Sequence, residues 1–325
     1  MPRILVVAPN WIGDALMAQP LLARLREKLP ALRLDVLAAA RIAPVLRRMA
    51  EVDEVIEASS RHGALELRAR WQRGRGLRAR AYDQAIVLPN SWKSALVPFF
   101  ADIPLRSGYV GESRYGLLNL LYRAKRDERE PMALHYARLS EKPGAAPREP
   151  LPEPQLRVDP IAARATAARF GVVGRYAVFC PGAEYGPAKR WPYFVELAAR
   201  MPLPVVILGT ATDRESSAGI PGKNLAGETS LDEAIDLISS AQFVVTNDSG
   251  LMHVAAAVGT PQVALFGSSS PHHTPPLSSQ ARVVWLGIEC SPCYARECPL
   301  GHFRCMRELS VERVLSEIAA MDPAG

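Results

Sequence analysis

The amino-acid sequence predicts an α/β chain folded as two doubly wound domains, residues 1–150 and 151–325. Three observations predict it. Short apolar runs alternate with helical patterns from the N-terminus, which is the rhythm of βαβ units. A proline-rich passage, EKPGAAPREPLPEP (residues 141–154), then interrupts that rhythm at a proline density no helix or central strand tolerates. Beyond it the same alternation restarts. The length of 325 residues agrees, because single cores stop growing at about 250–300 residues.

In the first half, Ile4–Ala8, Leu34–Leu37, Val52–Ile56 and Ala85–Leu88 read as strands, being short, apolar and bounded by polar or turn-forming residues. Ala15–Leu29 and Ile42–Met49 read as the helices between them. In the second half the strand candidates are Tyr176–Cys180, Val205–Leu208, Phe243–Thr246 and Val263–Phe266, with helices at Trp191–Arg200, Ser230–Ser239 and Leu251–Val258. The Ser230 hydroxyl suits an N-cap, and Asp232 and Glu233 follow in the first turn, where the helix dipole favours them. Doubly wound sheets bind ligands beyond the carboxyl ends of their strands, so the loops after strands are where chemistry is expected.

Composition narrows the classes. The longest apolar runs fall far short of the roughly 20 residues of a spanning helix, and Met1-Pro2-Arg3 leads into a strand pattern, unlike a signal peptide. A cytoplasmic protein is the expectation. The net charge of +6 conceals an asymmetry: residues 1–150 hold 25 Lys and Arg against 16 Asp and Glu, whereas residues 151–325 hold 14 against 17. Much of the excess lies in RHGALELRARWQRGRGLRAR, where Arg61, Arg68, Arg70, Arg73, Arg75, Arg78 and Arg80 are balanced only by Glu66. That run reads either as a solvated helix face or as a face for a membrane surface or acidic ligand. No G-x-G-x-x-G follows a strand, no G-x-x-x-x-G-K-[ST] occurs, and there is no D-x-D to hold a divalent ion on a diphosphate.

Four post-strand loops carry candidate site residues. In APNWIGDALMAQPLL the chain turns through Pro9, Asn10 and Gly13 and delivers Asp14 to a helix start, as an N-cap or as a carboxylate placed for general base work. In CPGAEYGPAKRWP, Pro181, Gly182 and Ala183 let a ligand approach the backbone, and Lys189 and Arg190 suit phosphate oxygens. In LGTATDRE, Asp213 or Glu215 could accept from a ribose or simply favour a helix N-terminus. In TNDSGLMHVAAAVGTPQVALFG, Gly250 allows close approach, Asp248 and Ser249 are short polar groups, and the following helix offers free N–H groups to an anion. His253 lies one turn in, as a contact or as a packed side chain. The second and fourth loops together predict a diphosphate site in the second domain, with Asp14 in the first.

These segments, with LPNSWKSALVPFFADIPLRSGYVGESRYGLLN and NLAGETSLDEAIDLI, resemble the signatures of the ADP-heptose:lipopolysaccharide heptosyltransferases over nearly the whole chain. The likeness is strongest to the members that add the second inner-core heptose. It implies a GT-B fold, two Rossmann-like domains facing a cleft with the acceptor on the N-terminal one and ADP-heptose on the C-terminal one. It implies inverting, metal-independent transfer of L-glycero-D-manno-heptose to the first heptose of Kdo2-lipid A, with no cofactor required. Carried over by position, Asp14 matches the catalytic base, Lys189 the diphosphate lysine, and Asp248, Ser249, Gly250 and His253 the donor motif. Gly182 and Arg190 join them, and Asp213 matches the ribose carboxylate with Glu215 left open. Asn10, Asn90, Ser91, Lys93, Arg106 and Arg114 would contact the acceptor or shape its cleft. The anionic lipid A and Kdo groups would suit the basic half, in peripheral contact with the cytoplasmic face of the inner membrane and with no nucleic acid. Transfer of the first heptose, a later core transfer, and a non-catalytic nucleotide-sugar binder are the rival readings.

A second constellation, CSPCYARECPLGHFRC, spaces Cys290, Cys293, Cys298 and Cys305 as C-x2-C-x4-C-x6-C with His302 inside the last interval. In a cytosolic chain these read as a structural zinc or iron site closed by thiolates, or as reduced free thiols. Cys180, alone in a strand, reads as core.

Overall fold

The computed structural model describes residues 1–58, 65–124 and 129–321. Arg61 and the rest of residues 59–64 lie outside the described residues. The chain divides into two compact units, Met1–Glu153 and Pro154–Gly325, and the division falls inside the proline-rich passage.

In the first unit the strands are β1 (Arg3–Val7), β2 (Arg33–Ala38), β3 (Glu54–Glu57), β4 (Gln84–Val87), β5 (Leu105–Tyr109) and β6 (Leu120–Tyr122). They form one sheet in the order β3-β2-β1-β4-β5-β6, with every pairing parallel. Its helices are α1 (Ile12–Met17), α2 (Gln19–Lys28), α3 (Ala43–Arg47), α4 (Leu67–Leu77), α5 (Leu96–Phe100) and α6 (Met132–Ala137). The sequence reading ran one helix from Ala15 to Leu29, but the structure breaks it at Ala18. Pro20 lies in the first turn of α2 and has no N–H to bond back to Leu16, so the chain restarts there. The end of the arginine run is accounted for locally. Arg80 and Arg33 converge on the buried Asp35 and on Glu54, and Arg78 pairs with Asp102 at 2.7 Å.

The second unit repeats the plan. Strands β7 (Ala177–Cys180), β8 (Val205–Ile207), β9 (Lys223–Asn224), β10 (Phe243–Asn247), β11 (Gln262–Phe266) and β12 (Ala281–Trp285) lie in the order β12-β11-β10-β7-β8-β9, again all parallel. Helices α7 (Pro160–Arg169), α8 (Phe194–Ala199), α9 (Leu231–Ser239), α10 (Gly250–Ala257), α11 (Arg304–Arg307) and α12 (Val311–Met321) cover it. Parallel strands are buried on both faces, which is why β7, β10 and β11 are buried throughout. Phe179, Ile207, Val245 and Leu265 anchor a core completed by α8 and α12. The capping box on α9 forms as its sequence predicts: Ser230 Oγ accepts from the Glu233 N–H, and Glu233 accepts from the Ser230 N–H at 2.6 Å. Among the described residues no helix is long and apolar enough to cross a membrane.

Both sheets reverse direction between their first and fourth strands. In the first unit that switch point falls between β1 and β4, and in the second between β7 and β10. Crossovers leave such a pair on opposite faces and open a crevice at their carboxyl ends. All four strands lead into loops singled out by the sequence.

Candidate functional site

Lys189 and Asp248 are 59 positions apart in sequence and meet at the switch point of the second unit. The loop after β7 ends in a short 3-10 turn, Pro187–Lys189, and Lys189 Nζ lies 2.5 Å from Asp248 Oδ2. Asp248 is buried at the end of β10, and Ser269 Oγ donates to the same Oδ2. The Lys189 ammonium also sits 4.9 Å from the centre of the Tyr185 ring, which the Arg296 guanidinium approaches to 5.2 Å. An ammonium has three N–H groups. One goes to Asp248, and the attraction of the ring face for a cation helps hold the ammonium beside the start of α10.

The α10 N-terminus adds to it. Ser249 occupies the N-cap in extended backbone and its hydroxyl caps no N–H of the helix. The first-turn donors are therefore available to an anion. Asn247, buried beneath, locks the two loops together: its Nδ2 donates to the Pro181 carbonyl at 2.6 Å and its Oδ1 accepts from the Trp191 N–H at 3.1 Å. His253 is buried one turn into α10. Burial pushes its pKa down to about 4, Asp248 pulls it back, and Lys189 pushes it further down, so the imidazole is neutral.

Gly182 and Asp213 form a second contact of the same loop. A Cβ on Gly182 would meet the Asp213 carboxylate at 2.5 Å, so the close approach requires glycine. Asp213 is buried and spends Oδ2 on the Thr210 N–H at 2.9 Å and hydroxyl at 2.6 Å, with Arg190 3.8 Å from Oδ1. The carboxylate thus orders its own turn, while Glu215 is exposed.

In the first unit Asp14 stands in the first turn of α1, after β1. It is not the N-cap expected as its structural role; Trp11 holds that position. Tyr136, on α6, donates its hydroxyl to Asp14 Oδ1 at 3.2 Å, and burial first and Asp14 second raise the Tyr136 pKa well above the ordinary tyrosine range. That phenol stays a hydrogen-bond donor. Asn10 is exposed in the preceding loop.

The loop after β4 carries Asn90, Ser91 and Lys93. Asn90 is exposed, and the carbonyls of Ser91 and Lys93 accept from Ser94 and Arg70. Arg114 requires a correction, because it presents no free guanidinium to a ligand. Arg114 is 1 % exposed and donates to the carbonyls of Tyr109 and Pro89 and to Ser94 Oγ, bracing the 89–94 loop from beneath. Burial lowers its pKa to about 10, which still leaves it charged at neutral pH. Arg106 binds the carbonyls of Leu117 and Ile103 and covers the Phe99 ring at 5.5 Å.

The four cysteines and His302 line one cavity of about 20 Å³. All four are free thiols, and among the described residues no group of three or more His, Cys, Asp or Glu is arranged to hold a metal ion. That arrangement does not support the zinc or iron expectation. Cys298 Sγ accepts from the Phe303 N–H at 3.4 Å and lies 4.0 Å from His302 Nδ1. Cys305 is packed into the core beside Met306, and burial with the neighbouring sulfurs raises its pKa to about 11. The cysteine segment instead braces the Lys189 loop: Tyr185 donates to the Tyr294 carbonyl at 2.6 Å and the Ala188 N–H donates to that of Arg296 at 3.0 Å. Cys180 is buried in β7.

Sequence reasoning missed Ser269, Tyr185 and Tyr136. Ser269 had a signal, since three serines directly after a buried strand (Ser268–Ser270) are costly unless bonded. Tyr185 and Tyr136 had none, because their partners are set by tertiary folding.

Comparison with known proteins bears on the family and the fold. The family model described as glycosyltransferase family 9 (heptosyltransferase) matches residues 70–304. The chain is 42% identical to lipopolysaccharide heptosyltransferase 2 of Escherichia coli (strain K12), over 98% of both chains. It is also 42% identical to lipooligosaccharide heptosyltransferase 2 of Haemophilus influenzae, over 87% of this chain and 88% of that one. The solved structure of E. coli ADP-heptose LPS heptosyltransferase II superposes with a TM-score of 0.88 at 40% identity, covering 98% of each chain.

Proposed function

The chain belongs to glycosyltransferase family 9, and on that premise we propose that it transfers a heptosyl group from ADP-heptose to a lipopolysaccharide inner core that already carries one heptose. The observation that carries this reading is the lysine–aspartate–serine cluster at the end of β10, beside the α10 N-terminus, in a chain so similar to a heptosyltransferase 2 along its whole length.

The chemistry divides between the two units. In the second unit, the α10 N-terminus and Lys189 take the diphosphate, whose charge grows as the glycosidic C–O bond breaks. Asp248 holds the ammonium in place, Asn247 and Gly182 keep the loop close, and Arg190 extends the positive lining. Asp213 acts by shaping the 209–213 turn. In the first unit, Asp14 accepts the proton of the acceptor hydroxyl as that oxygen attacks the anomeric carbon from the face opposite ADP, which inverts the configuration. Tyr136 aims the carboxylate. Asn10, Asn90, Ser91 and Lys93 line the acceptor side, and Arg114 braces the 89–94 loop that carries the last three. The transfer uses no cofactor, and the acceptor, being lipid-linked, brings the enzyme to the cytoplasmic face of the inner membrane.

The test uses purified full-length protein, ADP-heptose, and defined cores carrying zero or one heptose, with products read by mass. Gain of one heptose only on the one-heptose core is expected. Extension of the heptose-free core would overturn the acceptor assignment, and no extension of either would overturn the activity.

A further inference from the structure

The arginines of α4 take no part in the chemistry above. α4 has the sequence LRARWQRGRGL, with four arginines and no acidic residue. Its inward side is fixed: Leu77 and Gly74 are buried, and a Cβ on Gly74 would meet Phe100 Cβ of α5 at 2.5 Å. Arg70 lies on that side too and donates to the Lys93 carbonyl at 3.1 Å, which ties α4 to the turn carrying Trp92. On the opposite side Arg68, Trp71, Gln72 and Arg75 fall at helical spacing and are all exposed. Trp71 is 48% exposed, with the Arg75 guanidinium 5.7 Å from its ring centre. Leu67, Trp92 and Phe99, on the same or adjoining elements, are also left in solvent, at 50%, 39% and 40%.

This arrangement costs the free protein something. Cations crowd the first turn, where the dipole disfavours them, and the N-cap residue, Glu66, is left-handed and offers no side-chain cap. Indole rings interleaved with guanidinium groups match one environment closely, the headgroup layer of an anionic bilayer, where aromatic rings settle at the interface and each basic side chain meets lipid phosphate. We propose that the exposed face of α4, with Trp71 at its centre, docks this chain onto anionic phospholipid. The proposal rests on the reading of the acceptor as lipid-linked, because docking then places the 89–94 loop, to which Arg70 joins the helix, near the membrane plane.

Sedimentation of the full-length protein with vesicles tests it. Phosphatidylglycerol–phosphatidylcholine vesicles should carry the protein down, pure phosphatidylcholine vesicles should not, and high salt should release it. Replacing Arg68 and Arg75 by Gln should weaken binding by about fivefold for each charge removed. Arg68→Lys with Arg75→Lys should bind as the wild type does, since a headgroup layer reads charge. Both variants should keep wild-type melting and wild-type turnover on a soluble, deacylated acceptor. Equal capture by neutral vesicles, unchanged capture of the glutamine variant, or no capture at all would each overturn the proposal. Absence of heptosyl transfer to the soluble acceptor, with vesicle capture intact, would strike the functional reading alone.

Discussion

Replacing Lys189 by Met should injure the chain in two separable ways. The side chains of Lys189 and Asp248 are 14% and 5% exposed, so the substitution strands a carboxylate in the interior with only the Ser269 hydroxyl for company. Breaking a buried ion pair on one side costs about 3–5 kcal/mol. For a unit of this size that converts to a melting temperature lower by roughly 6–20 °C. Removing one preorganised positive group from the leaving diphosphate should separately lower kcat by about 10²–10³. The double variant Lys189→Met with Asp248→Asn divides the two effects. It removes both charges and keeps a polar partner for Ser269, so melting should return close to wild type while turnover stays at the level of the single variant. Calorimetry and a coupled ADP-release assay on the same preparations read both. Recovery of turnover in the double variant would refute the reasoning and reduce the pair to architecture.

Four further outcomes are expected. Asp14→Asn should lower kcat by about 10²–10⁴ with ADP affinity retained, and Tyr136→Phe should lower it by about tenfold through loss of the hydrogen bond that orients the carboxylate; ADP binding by calorimetry beside turnover checks both. His253 should make the fold acid-sensitive. Its folded pKa of about 4 lies below the ordinary 6.5, so the unfolded chain takes up the proton first, and stability present above pH 6.5 is lost as pH falls toward 4, by roughly 3 kcal/mol. Urea denaturation across that window should fall less for His253→Gln, and parallel curves would refute it. Arg114→Ala should strip the donors from the Tyr109 and Pro89 carbonyls, costing about 2–4 kcal/mol and raising KM for the acceptor more than it lowers kcat; Arg114→Lys should not rescue, because an ammonium cannot fork between them.

Strands buried on both faces were legible in the sequence because burial writes itself as a continuous apolar run, as in β7, β10 and β11. β5 and β12 were not. β5 reads LRSGY, where a glycine and polar residues break the run, and β12 lies at a sheet edge with two of its five residues exposed. The break at Ala18 could have been read from Pro20. At the site, Asp14, Lys189 and Asp248 stood out because each ends a strand-to-helix loop. What local sequence does not carry is which carboxylate is already taken. Asp213 and Asp248 look alike as letters, yet one gives an oxygen to Thr210 and the other holds a lysine. Arg114 shows the same limit from the other side: an arginine in a polar loop reads as a ligand contact until its burial is known.

The ordering of β7 beside β10 has a consequence for synthesis on the ribosome. When Lys189 emerges, its counter-charge is still 59 residues away and the serine that completes the cluster 80 away. A nascent chain that stalls before residue 248 can pair β7 with β8, but it carries an ammonium with nowhere to go. The lysine–aspartate–serine cluster is therefore complete only once Ser269 has been made, after five of the six strands of its sheet.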